Sequence, residues 1–219
     1  MIRIFKKQEP EFFRTWKKRM KAHTRKPSYA DLSNQKNREI KDRLHDALLE
    51  EQGELCCYCG RKITSDNSHI EHFRPQSRYP DRSVMYNNLY SSCIKYPSKG
   101  CIRHCGHFKD DKFNERLCIS PLDAGCEERF LYTLEGEIHP RNKHDRGAGY
   151  MIDILNLNAP PLTLSRKTLL LQTLPPEFLD TLFQEDLQNL RNKFQERDSY
   201  GDYQEFRQVL CRYIDQNLG

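Results

Sequence analysis

The chain has 219 residues, 37% hydrophobic and 31% charged, with a formal net charge of +5. That length allows one large domain, or a small domain with a helical extension, and 11 Tyr, 11 Phe and one Trp supply enough core material to exclude a disordered chain. No apolar run approaches the ~20 residues that span a bilayer, and the opening MIRIFKKQEPEFF lacks the continuous apolar core of a signal peptide, so a cytoplasmic protein with no membrane association is expected.

Residues 1–53 read as a basic helical segment after a short extended start. Within it RTWKKRMKAHTRK, residues 14–26, carries seven Lys or Arg and no acid. It reads either as a solvated helix face or as a phosphate-tracking arm with Trp16 available to stack on a base. Pro27 separates this stretch from a helix marked by Ile40, Leu44, Ala47 and Leu48 and stopped at Gly53.

Residues 54–117 change character. Cys and His are dense, and turn formers recur at Gly60, Asp66-Asn67, Pro75, Pro80, Pro97, Gly100 and Gly106. Too little apolar material is present for an ordinary core, so a metal staple is expected. The nine Cys fit this better than a disulfide framework in a reducing compartment. Cys56 and Cys59 form a Cys-x-x-Cys turn ended by Gly60, a spacing that seats two thiolates on one tetrahedral ion. Cys93 and Cys105 are the preferred second pair, with Cys101 an alternative to either. Cys57, Cys118, Cys126 and Cys211 read as small buried hydrophobes.

Residues 118–219 read as a hairpin plus a helical C-terminal region. The alternation of FLYTL, a Glu-Gly turn and EIHP predict the hairpin. YMIDILNLN predicts a helix stopped near Asn158 and Pro160-Pro161. Leu179, Leu182, Phe183, Leu190 and Phe194 predict a second, and Phe206, Leu210, Tyr213 and Ile214 a third.

The stretch HIEHFRPQS, residues 69–77, follows the Cys-x-x-Cys turn, and is itself followed by YNNLYSSC and CGHFK. In this order the motifs resemble the HNH nucleases, in which two short strands and a helix hold one catalytic divalent metal, often beside a four-Cys zinc site. The resemblance implies an α+β fold: a small zinc-stapled ββα-metal core flanked by N-terminal and C-terminal helices. By position it makes Glu71 a metal ligand, His72 the general base, Asn88 the residue that pins the base-bearing loop (Asn87 if the register slips) and His107 the last metal ligand. A neutral His near pH 7 can take a proton from water, and carboxylate and imidazole ligands suit Mg²⁺ or Mn²⁺.

Three departures stand out. The acid is Glu where Asp is commoner, Gly106 intervenes between Cys105 and His107, and His69 is an extra histidine. On a strand His69 shares a face with Glu71 and is open between an additional metal ligand and a structural role. His104 competes with His107, since on a helix the two would share a face. Lys109, Lys112 and Arg103 form a candidate basic edge, and Arg74 and Arg78 flank the site loop.

With LLEEQGELCCYCG, ISPLD, RFLYTLEGEI and IDILNLN added, the resemblance narrows to the HNH endonuclease subunit of Septu-type and retron-associated antiphage systems. It implies zinc and a catalytic Mg²⁺ or Mn²⁺, a DNA or RNA substrate, an ATPase partner of the ABC or SMC type, and in retrons a reverse transcriptase with its RNA–DNA product. The alternative is a zinc-braced nucleic-acid-binding or scaffold module without catalysis. The helical stripes beyond residue 147 would then, as in the nuclease reading, either pack on each other or dock the partner.

Overall fold

The computed structural model describes residues 1–22 and 26–218. His23, Thr24 and Arg25 of the basic stretch lie outside the described residues.

The chain starts extended, with the Ile2 amide donating to the Cys57 carbonyl at 3.3 Å and the Ile4 amide to Pro121 at 2.8 Å. Met1, Ile2 and Ile4 are thereby buried in the main core. Helix α1, Glu11–Ala22, begins after Pro10 and turns Phe13 and Trp16 inward. Their rings stack with centroids 5.5 Å apart, and Trp16 is only 2% exposed. The expectation that Trp16 stacks on a base is therefore corrected: the three-residue spacing places it on the same apolar face as Phe13. Lys18, Arg19 and Lys21 remain exposed, whereas Arg14 and Lys17 pair with Glu11 and Glu9.

After Pro27, a Ser28–Asp31 capping box opens the short helix α2, Tyr29–Leu32. A 3₁₀ turn leads into α3, Arg38–Gln52, which ends where Gly53 adopts φ 61° and ψ 42°, the left-handed stop the sequence predicts. Leu32, Leu44 and Leu48 join Phe13 and Trp16 in a second core that also takes Ile70, Val84, Tyr86 and Leu89.

The middle of the chain contributes β1, Ser68–His72, and β2, Leu89–Cys93. They pair antiparallel with His69 opposite Ser92 and Glu71 opposite Tyr90. Helix α4, Gly106–Lys109, is a single turn. β1 has β2 on one edge and no other strand among the described residues.

The predicted hairpin is β3, Phe130–Tyr132, with β4, Ile138–Pro140. Gly136 turns it at φ +81°, and a Cβ there would lie 2.1 Å from the Thr163 carbonyl oxygen. The remainder is helical: α5, Arg146–Ile154; α6, Pro160–Thr173; α7, Pro176–Leu179; α8, Gln184–Gln195; and α9, Arg207–Asn217. Pro160-Pro161 does not merely stop a helix; it opens α6. Proline is tolerated in a first turn, where the missing N–H has no partner to lose. The predicted helix from Leu179 to Phe194 is two pieces, α7 and α8, leaving Phe183 80% exposed at the junction.

Among the described residues the result is a mixed α/β fold with two small sheets. Its larger core runs from Met1 through the Cys-rich middle to Ile214. Among the described residues no helix is long and apolar enough to cross a membrane.

Candidate metal centres and active site

Cys56, Cys59, Cys93 and Cys105 converge, all buried, with their sulfurs within 4.8 Å of one another. Cys56 and Cys59 come from the turn closed by the Gly60 amide donating to the Cys56 carbonyl at 3.0 Å. Cys93 ends β2, and Cys105 immediately precedes α4 with φ 56°, its amide donating to Leu155 at 2.8 Å. The Cys59 and Cys93 sulfurs lie 3.8 Å apart. A tetrahedral ion with Zn–S near 2.3 Å separates its sulfurs by about 3.8 Å, so the quartet fits zinc in size and donor type. Cys101 is exposed and stands apart.

The electrostatics agree. Burial disfavours a thiolate at Cys56, yet hydrogen bonds from Cys105, Cys57, Cys59 and Cys93 pull its pKa well below the usual thiol value. Burial, followed by the contacts with Cys56, Cys59 and Cys93, pushes Cys105 well above it. Without a cation, the Cys56 thiolate forms at the expense of Cys93 and Cys105; a dication is what lets clustered buried thiols ionise together.

His104 belongs to this end. Its Nδ1 is 3.2 Å from the Cys105 sulfur and 3.6 Å from that of Cys93, and burial pushes its pKa down to about 4. The expected competition with His107 on one helix face is corrected, because α4 begins only at Gly106 and leaves His104 outside it.

The second centre is built on β1. Pleating sends His69 and Glu71 to one face and Ser68, Ile70 and His72 to the other. One Glu71 oxygen, Oε1, accepts from Lys109 Nζ at 2.8 Å and from the Tyr58 hydroxyl at 3.0 Å. The other, Oε2, is 3.6 Å from His69 Nε2. Burial would raise the Glu71 pKa, but Lys109 and His69 override it and hold it at about 2. His69 Nδ1 is 2.9 Å from the Ile94 carbonyl; a carbonyl only accepts, so Nδ1 carries a proton there and Nε2 is the nitrogen that faces Glu71.

From α4, His107 brings its ring to 4.6 Å from that of His69. Its Nε2 is buried and finds no hydrogen-bond partner among the described residues. Gly106 explains the intervening residue noted in the sequence. A Cβ there would lie 2.5 Å from Glu71 Oε2 and 2.8 Å from His69 Nε2, so a side chain would fill the space these groups face. His69 Nε2 and a Glu71 oxygen border that space, with the His107 ring beside His69, and imidazole and carboxylate donors suit a divalent cation. The arrangement is looser than the cysteines, which are the only such group among the described residues with ligand atoms all within 4.8 Å.

His72 lies across the strand. Its Nε2 is 2.9 Å from the Ser83 carbonyl. A carbonyl only accepts, so Nε2 carries the proton and Nδ1 the lone pair. Tyr29 packs edge-on against the ring at 4.5 Å, and burial lowers the pKa below the usual histidine value. Asn88 holds the loop after His72 at both ends. Its Oδ1 accepts from the Arg74 amide at 2.8 Å, and its Nδ2 donates to the carbonyls of Arg74 and Arg82, each at 3.1 Å. Asn87 is exposed and offers only its carbonyl, to Tyr90.

The candidate basic edge is corrected in part. Lys109 is 1% exposed and also donates to the His72 carbonyl at 2.9 Å. It neutralises a buried carboxylate and cannot reach solvent phosphate. Lys112 and Arg103 are exposed. Arg74 pairs with Glu115, and Arg78 donates to the Phe113 carbonyl at 2.8 Å. The contributions of Tyr58, Tyr29 and Lys109 escape sequence reasoning, since each meets its partner across a long stretch of chain.

No family model matches the sequence. A protein of Vibrio cholerae serotype O1 biovar El Tor named "Retron Vc95 putative HNH endonuclease" is 36% identical over 135 residues, 58% of this chain and 62% of that protein. The chain is a homologue of that retron protein. "Septu protein PtuB" of Bacillus thuringiensis is 28% identical over 116 residues, 51% of this chain and 40% of that protein. The two names support an HNH endonuclease of the retron and Septu type. This chain spans less than two thirds of the length of either relative.

Proposed function

We propose that this chain is a metal-dependent HNH endonuclease that cleaves nucleic-acid phosphodiester bonds, the effector of an antiphage system in which it works beside an ATPase. The observation that carries the reading is the division of β1. A histidine with its lone pair on Nδ1 lies on one face, and His69 and Glu71 lie on the other, with the His107 ring of α4 beside His69.

In this reading His72 Nδ1 takes a proton from the attacking water, and Asn88 fixes the loop that follows it. His69, Glu71 and His107 hold Mg²⁺ or Mn²⁺, with Lys109 and Tyr58 keeping Glu71 ionised and aimed through its second oxygen. When bound, that cation neutralises charge growing on the phosphate and the leaving oxygen. The four cysteines hold zinc as a staple and take no part in the chemistry. The two relatives' names support the defence setting, and the helices after residue 146 are the proposed ATPase-docking region.

The test is incubation of the purified protein, with and without its neighbouring ATPase, with plasmid, single-stranded DNA and tRNA in Mg²⁺ or Mn²⁺. Cleavage that disappears in His72→Ala is expected. Binding without cleavage under every condition would return the chain to the zinc-braced binding module.

A further inference from the structure

A groove of about 500 Å³ lies beside the free edge of β1. Ser68, His69 and Ile70 all line it. Three consecutive residues of a pleated strand cannot share a face, so the groove follows the strand's edge. Tyr29, whose ring packs on His72, also lines it. The groove thus meets the two halves of the proposed active site, at His69 and beside His72.

The opposite walls are basic and aromatic. Lys41 comes from α3, and Lys95 and Tyr96 from the segment following β2. Lys41 Nζ lies 5.0 Å over the Tyr29 ring and donates to the Ser33 hydroxyl at 3.0 Å, with no carboxylate paired to it in either contact. Among the described residues Lys95 Nζ donates to the Ser65 carbonyl at 2.8 Å, an uncharged acceptor. Arg38 also faces the groove, but Asp42 sits 3.7 Å away and offsets it. Tyr96 is 82% exposed, with Lys95 Nζ 5.8 Å from its ring centre.

We propose that this groove holds an unpaired stretch of the nucleic-acid substrate, with Lys41 and Lys95 on phosphates and Tyr96 stacked on a base. An exposed aromatic face beside lysines that no carboxylate contacts directly in these bonds binds single strands, because every base has a π-face to offer and a paired base keeps that face inside its own stack. The inference rests on the nuclease reading for the position of the scissile phosphate, at the β1 edge between His72 and the His69–Glu71–His107 group. Its consequence is a preference for single-stranded substrate, DNA or RNA, or for looped-out nucleotides.

Fluorescence anisotropy on the full-length protein tests it, using labelled 12-nucleotide DNA and RNA oligomers and a fully paired duplex. No Mg²⁺ or Mn²⁺ is added, and oligomer integrity is checked afterwards. Tyr96→Ala is expected to weaken single-strand binding about 10-fold and leave duplex binding unchanged. Lys41→Ala and Lys95→Ala are each expected to flatten the slope of log affinity against log salt by about 0.7. Wild-type affinity in Tyr96→Ala, or equal losses for duplex and single strand, would overturn the groove while leaving the nuclease reading intact. Tyr96-dependent binding by a protein that cuts nothing would do the reverse. The DNA and RNA arms identify which strand the groove takes.

Discussion

The two candidate metal centres lie on one stretch of chain and solve opposite problems. The cysteine quartet is closed: four soft donors of one kind, all buried, with backbone hydrogen bonds pinning the turns that carry them. The Glu71 centre is open: imidazole and carboxylate donors on a strand edge, one imidazole nitrogen without a hydrogen-bond partner among the described residues, and a glycine where a side chain would fill the space. A structural ion needs its coordination completed by protein, whereas a catalytic ion needs room for substrate. The contrast predicts that damage to the first centre unfolds the protein and damage to the second disables it.

The largest effect is expected from Cys56→Ser. A structural zinc contributes folding free energy of order 10 kcal/mol, so this variant should lose its cooperative thermal transition. Wild-type protein without zinc on elemental analysis would break the comparison. His72→Ala should lower cleavage about 10²- to 10⁴-fold with zinc content and melting temperature close to wild type; a parallel loss of fold would blur the line between the centres. Gly106→Ala sharpens the comparison, since it crowds only the open centre. Cleavage about 10- to 100-fold down with zinc retained is the expected result, and normal cleavage would remove the cation from that space.

The helical brace behind β1 gives a subtler test. His45 on α3 is buried, its Nε2 3.0 Å from the Ser68 hydroxyl, and burial, followed by Lys95 and His69, pushes its pKa down to about 4. An unfolded histidine titrates near 6.5. The folded form therefore binds fewer protons, and its stability contribution is complete above pH ~6.5 and lost as pH falls through about 4. In thermal melts across that window, His45→Gln should shallow the fall of melting temperature with acid. The smallest effect is expected in α1. Neutralising Lys18, Arg19 and Lys21 should flatten the salt dependence of nucleic-acid binding without altering preference among sequences, and an unchanged slope would make that face merely solvated.

What the sequence determined by itself was local. Helical spacing before Gly53, the β3–β4 alternation and the tight Cys56–Cys59 turn are legible because backbone geometry repeats over a few residues. The alternation in HIEH likewise places His69 with Glu71 and His72 opposite, whatever surrounds them. Tertiary structure alone decided what those faces meet. Lys109 looks like any surface lysine until folding puts it 2.8 Å from a carboxylate 38 positions away. Trp16 sits in a run of bases and turns inward because Phe13, three residues earlier, shares its face. His104 and His107 are equivalent as letters, and only the start of α4 between them sends one to the cysteines and the other to His69. Gly106 reads as an interruption until the carboxylate and imidazole it makes room for are seen. Partner choice across the chain depends on which surfaces the core brings together, and no short-range periodicity carries that information.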